Sequence, residues 1–152
     1  MLWVYLSDPF ALRPVEGGAH LRATTVAWEG KALLIAGASG SGKSSLALEL
    51  MALGAGLVAD DVTFLAGDEE LVARAPETLP RAIEARGLGL IDVDLVAQAR
   101  VAVALDLSRR TAARMPQVQK ISLLGHSIPL LHRPASGPVP AMLLQYLKQA
   151  SL

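Results

Sequence analysis

Cysteine is absent from the 152 residues, which excludes a disulfide scaffold, a thiolate metal site and a cysteine nucleophile, and accords with a reducing cytoplasm. Net charge is absent too. Lys and Arg total 14, as do Asp and Glu, so no basic surplus exists to form a nucleic-acid groove. Aromatic residues make up only 4%, and Trp3 and Trp28 read as packing residues rather than as a base-stacking platform. Apolar runs such as Val101–Leu105 and Ala141–Leu144 are far too short to cross a bilayer. The opening Met1–Pro9 lacks the basic flank and long apolar centre of a signal peptide. These absences predict a soluble, cytoplasmic chain with neither membrane nor nucleic acid among its partners. What is present is apolar: 52% of residues are hydrophobic and 18% charged, which suits one core in a single domain over residues 1–152 and opposes disorder.

The pattern along the chain predicts a mixed α/β fold with more strand than helix. Leu2–Leu6 reads as a short strand, Pro14–Gly18 as a loop and His20–Trp28 as one strand, on which His20 and Arg22 share a face. Glu29-Gly30 then turns the chain into a second strand, Lys31–Ala36, whose consecutive apolar residues suit burial on both faces. Ser44–Leu53 carries Leu46, Leu48, Leu50, Met51 and Leu53 without Gly or Pro and reads as a buried helix stopped by Gly54 and Gly56. Leu57–Ala59 is a strand ending in Asp60-Asp61 and continuing through Val62–Leu65, with Glu70–Ala75 as its antiparallel partner. Pro76–Pro80 reads as a loop and 94–100 as a helical turn. Val101–Leu107 is a strand, Lys120–Leu124 and Ser127–Leu131 form a hairpin about Gly125, and Val139–Gln149 is a terminal amphipathic helix.

One segment carries chemistry directly. Gly37-Ala38-Ser39-Gly40-Ser41-Gly42-Lys43-Ser44 satisfies G-x-x-x-x-G-K-[ST], between an apolar strand and a buried helix. Small residues let successive amides turn inward around an oxyanion, and the helix adds its positive end. Lys43 can reach the β- and γ-phosphates of ATP, and the Ser44 hydroxyl can join a Mg²⁺ shell; Ser45 completes the nucleotide-binding run. Asp60 and Asp61, at the end of the strand after the helix, are placed to face a γ-phosphate, assisting Mg²⁺ or taking a proton from an attacking hydroxyl. In Ile83-Glu84-Ala-Arg86-Gly-Leu-Gly-Leu-Ile91, Gly87 and Gly89 permit a backbone close to a ligand; on physics alone a surface turn with a Glu84–Arg86 ion pair is the simpler reading. His126 and His132 read as structural rather than metal-binding, and Arg109, Arg110 and Arg114 as a solvated loop.

With those residues in view, the chain resembles the C-terminal catalytic domain of HPr kinase/phosphorylase from about Leu21 to Val93. The P-loop, Leu57-Val-Ala-Asp-Asp61 and Ile83–Ile91 carry the likeness; the third is close to the family's E-[IV]-R-G-L-G-[IL]-[IV] pattern. The resemblance implies a strand-rich P-loop kinase core with a mixed sheet and a C-terminal helix, in a short form lacking the N-terminal domain of longer members. It implies that Lys43 and the loop amides bind ATP, that Ser44 and Glu84 hold Mg²⁺, and that Asp61 is the base for an acceptor serine on an HPr-like phosphocarrier protein. It further implies that Asp60 assists the metal, that Arg86 contacts phosphate and that the chain forms a homo-oligomer, hexameric in the family. Three positions depart from the pattern. Arg22 stands where the family has histidine, Ser45 where it has an acid, and Ile128–Gly137 does not match the basic P-G-R-N-like loop. These departures argue against the reverse, phosphorylase reaction. Two other readings stay open: a nucleotide-responsive regulatory module with little catalysis, and a small-molecule kinase.

Overall fold

The computed structural model describes residues 8–77 and 82–150. The expected strand at Leu2–Leu6, and part of the expected loop at Pro76–Pro80, lie outside them. Twelve strands and two helices are described. In chain order the strands are β1 (Leu12–Val15), β2 (Gly18–Leu21), β3 (Ala23–Trp28), β4 (Lys31–Ala36), β5 (Gly56–Ala59), β6 (Thr63–Ala66), β7 (Val72–Arg74), β8 (Ile83–Ala85), β9 (Gly89–Ile91), β10 (Gln98–Thr111), β11 (Gln119–Leu123) and β12 (His126–Pro134). The helices are α1 (Lys43–Ala52) and α2 (Val139–Gln149).

Ten strands form one sheet in the order β1-β2-β6-β7-β10-β4-β3-β5, with β12 pairing β10 and β11 pairing β12; β8 and β9 form a separate hairpin. Among the described strands, only β10 with β4 and β10 with β12 form parallel ladders. The β3–β4 hairpin closes through Glu29 (φ 47°) and Gly30 (φ 80°), two successive positive-φ positions that match the twist of its strands. Along β4 the side chains alternate between two cores. Ala32, Leu34 and Ala36 join residues of β2, β6 and β7, so the sheet curls over them. Leu33 and Ile35 point the other way, into a cluster with Leu46 and Leu50 of α1 and Leu143, Leu144 and Leu147 of α2. Both faces of β4 are therefore dry, as its unbroken apolar run demands.

The expected fold class, a mixed sheet with a C-terminal helix, is the one observed, and α2 has the expected bounds. Val139, Leu143, Leu144 and Leu147 form its buried stripe. Its C-terminal end is tied to the β3–β4 hairpin: Lys31 donates to the Lys148 carbonyl at 2.7 Å, and the Lys148 ammonium lies 4.9 Å from the Trp28 ring centre.

Other expectations are corrected. Pro14 belongs to strand β1, paired with Ala19, because an edge strand tolerates a residue with no N–H to donate. His20–Trp28 is two strands interrupted at Arg22, and the segment after Ala59 is interrupted at Asp60-Asp61. The two interruptions face one another: β5 pairs with β3 through Thr25↔Ala59, whereas β6 pairs with β2 through Leu21↔Thr63. Residues 94–100 contain no helical turn; Leu95 bridges to Leu57 in parallel, and β10 begins at Gln98. There the chain is recruited as strand by β5 and β7, which local pattern does not reveal. Arg109 and Arg110 extend β10 rather than occupying a loop, although both are exposed.

Candidate active site

The site lies where the ladder splits. Beyond β4 the chain enters the glycine loop, and Gly42 (φ 100°) caps α1 with no side-chain cap and no acid in the first turn. The positive helix end is thus not compensated from within α1 itself. The loop is closely built: a Cβ on Gly37 would lie 2.7 Å from Ser41 Oγ and 3.1 Å from Leu107 Cβ, while added Cβ atoms on Gly40 and Gly42 would meet nothing within 4 Å. Space stands open where a ligand would approach. Ser41 Oγ is buried without a hydrogen-bond partner among the described residues. A buried hydroxyl left without a partner inside the glycine loop is a polar group that a ligand oxygen would satisfy.

Lys43 is buried and donates to the Gly37 carbonyl at 2.9 Å, with Asp61 Oδ1 at 3.9 Å. Burial lowers its pKa; the Asp61 and Asp60 carboxylates act against that shift, and the Arg22 charge adds to it. The ammonium is held in a place that disfavours charge, so it gains from an anion.

Across the split, Asp60 Oδ1 accepts hydrogen bonds from Ser44 Oγ at 2.7 Å and Thr24 Oγ1 at 2.9 Å. The Asp61 amide donates to the same Thr24 hydroxyl at 3.2 Å. Asp61 has φ 66°, and Val62 N–H donates to the Asp60 carbonyl at 2.8 Å, making Asp61 the centre of a tight three-residue turn that few non-glycine residues adopt. That turn swings its exposed carboxylate toward Lys43 and Arg22, whose Nη2 is 3.9 Å away. Below, the split is stitched by buried threonines: Thr63 Oγ1 donates to the Ala23 carbonyl at 2.9 Å and lies 2.8 Å from Thr25 Oγ1.

Thus Gly37–Ser44, Asp60 and Asp61 lie together. A hydroxyl and a carboxylate side by side, Ser44 and Asp60, form a donor set suited to a hard cation such as Mg²⁺. Glu84 and Arg86 are exposed on the β8–β9 hairpin, which packs beside α1 and on the core through buried Ile83, and neither has a hydrogen bond or ion pair with the loop or with each other among the described residues. His20 is not a neighbour of Arg22's contacts. It accepts from Arg13 Nη2 at 3.2 Å and meets the Phe64 ring edge-on at 6.1 Å. His126 Nε2 lies 2.8 Å from the Gly67 carbonyl, a structural tie between two turns.

Two residues escaped the sequence reading. Thr24 orients both acids, yet in sequence it is one more β-branched residue of a strand. Asp106, within β10 and paired with Ala36 at the end of β4, is buried with its carboxylate bonded by the Ser108 amide at 2.8 Å. A lone acid ending an apolar run was the signal for it.

Strand β4, the glycine loop and α1, flanked by parallel β10, define the class: a mixed α/β domain in which a buried strand runs through a glycine loop into a helix. Residues 18–106 match the family model described as the HPr Serine kinase C-terminal domain, and the chain belongs to that family. It is 42% identical over 91 residues to the HPr kinase/phosphorylase of Leptothrix cholodnii, a match covering 59% of this chain and 26% of that protein. The corresponding protein of Cupriavidus metallidurans is 48% identical over 97 residues, covering 62% and 28% respectively. The matched stretch therefore spans between a quarter and a third of these relatives. The solved structure of the Hpr(Ser) kinase/phosphatase from Coxiella burnetii shares the fold, with a TM-score of 0.71 at 24% identity over 85% of this chain and 88% of that one. No described helix is long and apolar enough to cross a membrane.

Proposed function

We propose that this domain is an ATP- and Mg²⁺-dependent serine kinase acting in the cytoplasm on an HPr-like phosphocarrier protein. The observation that carries the reading is the placement of two acids in different roles. Asp60 is bonded to the loop hydroxyl of Ser44, whereas Asp61 is exposed and turned toward Lys43. The loop amides, Lys43 and the orphan Ser41 hydroxyl hold the polyphosphate of ATP. Ser44 and Asp60 hold Mg²⁺, which when bound neutralises charge on the phosphates. Asp61 accepts the proton of the acceptor serine as its oxygen attacks the γ-phosphorus and ADP departs. Glu84 would join Ser44 on Mg²⁺ and Arg86 would contact phosphate from the β8–β9 hairpin, whose strand β8 packs beside α1. Leu88 and Leu90 on that hairpin are 84% and 72% exposed, which supports a homo-oligomer that covers them.

The test is incubation with [γ-³²P]ATP, Mg²⁺ and HPr-family proteins of the same organism. Phosphoserine that disappears in Lys43→Ala and Asp61→Ala supports the kinase. The lack of any hydrogen bond or ion pair between Glu84 and the glycine loop among the described residues favours a second reading, a nucleotide-responsive regulatory module; calorimetric ATP binding without transfer to any HPr-like protein would select it.

A further inference from the structure

Arg22 occupies the break between β2 and β3, directly across from Asp60-Asp61. Its Nη2 reaches the glycine loop, 3.4 Å from Ser39 Oγ, and lies 3.9 Å from Asp61 Oδ1. Lys43 Nζ lies 3.9 Å from that same oxygen. Two cations thus converge on one carboxylate oxygen without either closing to hydrogen-bond distance. Their mutual repulsion is felt at Lys43, whose pKa Arg22 pushes down.

A structural account of this arrangement is weak. The Arg22 side chain is 64% exposed, and exposed ion pairs contribute little to stability. The strands on either side are already joined by the buried threonine contacts, so the guanidinium is not needed to hold them. What two flanking cations beside an open loop do satisfy is a second, incoming anion. Guanidinium offers a planar fork of donors suited to phosphate, with a charge that persists at any working pH.

We propose that Arg22 contacts the terminal phosphate of bound ATP, a phosphate-recognising arginine supplied from within the same chain. This rests on the ATP-binding reading and adds recognition of the third phosphate to it. During transfer the bond from acceptor oxygen to γ-phosphorus forms and the bond from γ-phosphorus to the β-phosphate bridging oxygen breaks. The acceptor's proton passes to Asp61, and the electron pair leaves with ADP. Arg22 keeps its protons and stabilises charge spread over the three remaining γ-oxygens.

Calorimetry with the non-hydrolysable ATP analogue AMP-PNP and with ADP, both with Mg²⁺, tests this without requiring turnover. Arg22→Ala is expected to weaken AMP-PNP by about 10- to 100-fold, the loss of charge-assisted hydrogen bonds, and to change ADP less than about twofold. Arg22→Lys should recover part of the difference. The same selective loss should persist in an Asp61→Asn background, which separates direct contact from mere screening of the Asp61 charge. Equal losses for both nucleotides, no loss for either, or disappearance of the effect in Asp61→Asn would overturn the assignment while leaving the nucleotide site standing. Wild-type protein that binds neither nucleotide would remove the ATP reading itself, and this inference with it.

Discussion

Lys43 and Asp61 are both held under stress, and each makes a measurable prediction. The Lys43 pKa is lowered from 10.5 in the folded chain, so between the folded value and 10.5 the unfolded chain binds more protons. The charge penalty is fully present below the folded pKa and fades as pH rises through that window. The stability of nucleotide-free wild type relative to Lys43→Met, from urea unfolding, should therefore rise as pH is raised from 7 toward 10; a flat or falling difference would contradict the burial argument. At Asp61 the stress is in the backbone, at φ 66°. Asp61→Gly should be more stable than Asp61→Ala by about 1 kcal/mol, because glycine accepts positive φ freely, while both lose phosphoryl transfer. Thr24→Val keeps shape but leaves the Asp61 amide without its acceptor and Asp60 without one donor. A destabilisation of about 1–3 kcal/mol is expected in urea, and none would mean that water substitutes fully.

Among elements, those with strong local signals were readable from the residues. The β3–β4 hairpin follows from Glu29-Gly30, the loop and α1 from the glycine spacing and leucines, and α2 from its apolar stripe. The site's loop half was legible for the same reason, since its chemistry is contiguous in sequence. Its other half was readable only in part. Asp60-Asp61 announced itself as paired acids, but the reason for their placement, the facing breaks at Arg22 and at the acids, depends on which strand pairs with which. A strand's propensity does not say that Leu21 faces Thr63 while Thr25 faces Ala59. Thr24 was hidden because its strand-forming and acid-orienting roles use the same residue type. The packing of α1 gives a further check. Leu50 is fully buried against the sheet, so Leu50→Ala should cost about 2–5 kcal/mol in urea unfolding with an unchanged m-value.

At the scale of the whole molecule, the sheet carries its apolar residues in two compartments, one inside its curl and one beneath the helices. The β8–β9 hairpin stands apart from that sheet, anchored by Ile83 while Leu88 and Leu90 face solvent. If a second copy covers them, Leu88→Asp with Leu90→Asp should lower the sedimentation-derived mass while leaving the circular dichroism spectrum in place. A mass equal to wild type would place the contact elsewhere.

The facing breaks in the β2–β6 and β3–β5 ladders have a consequence for the order of assembly. Strand β4, its loop and α1 are contiguous in sequence, whereas the acids reach them only after β5 has joined one arm and β6 the other. On the proposed reading, a chain folded only as far as Ala52 could grip an anion but would have no base to offer an acceptor. If the chain is the kinase proposed, opening the β2–β6 arm alone would disarm it without emptying it.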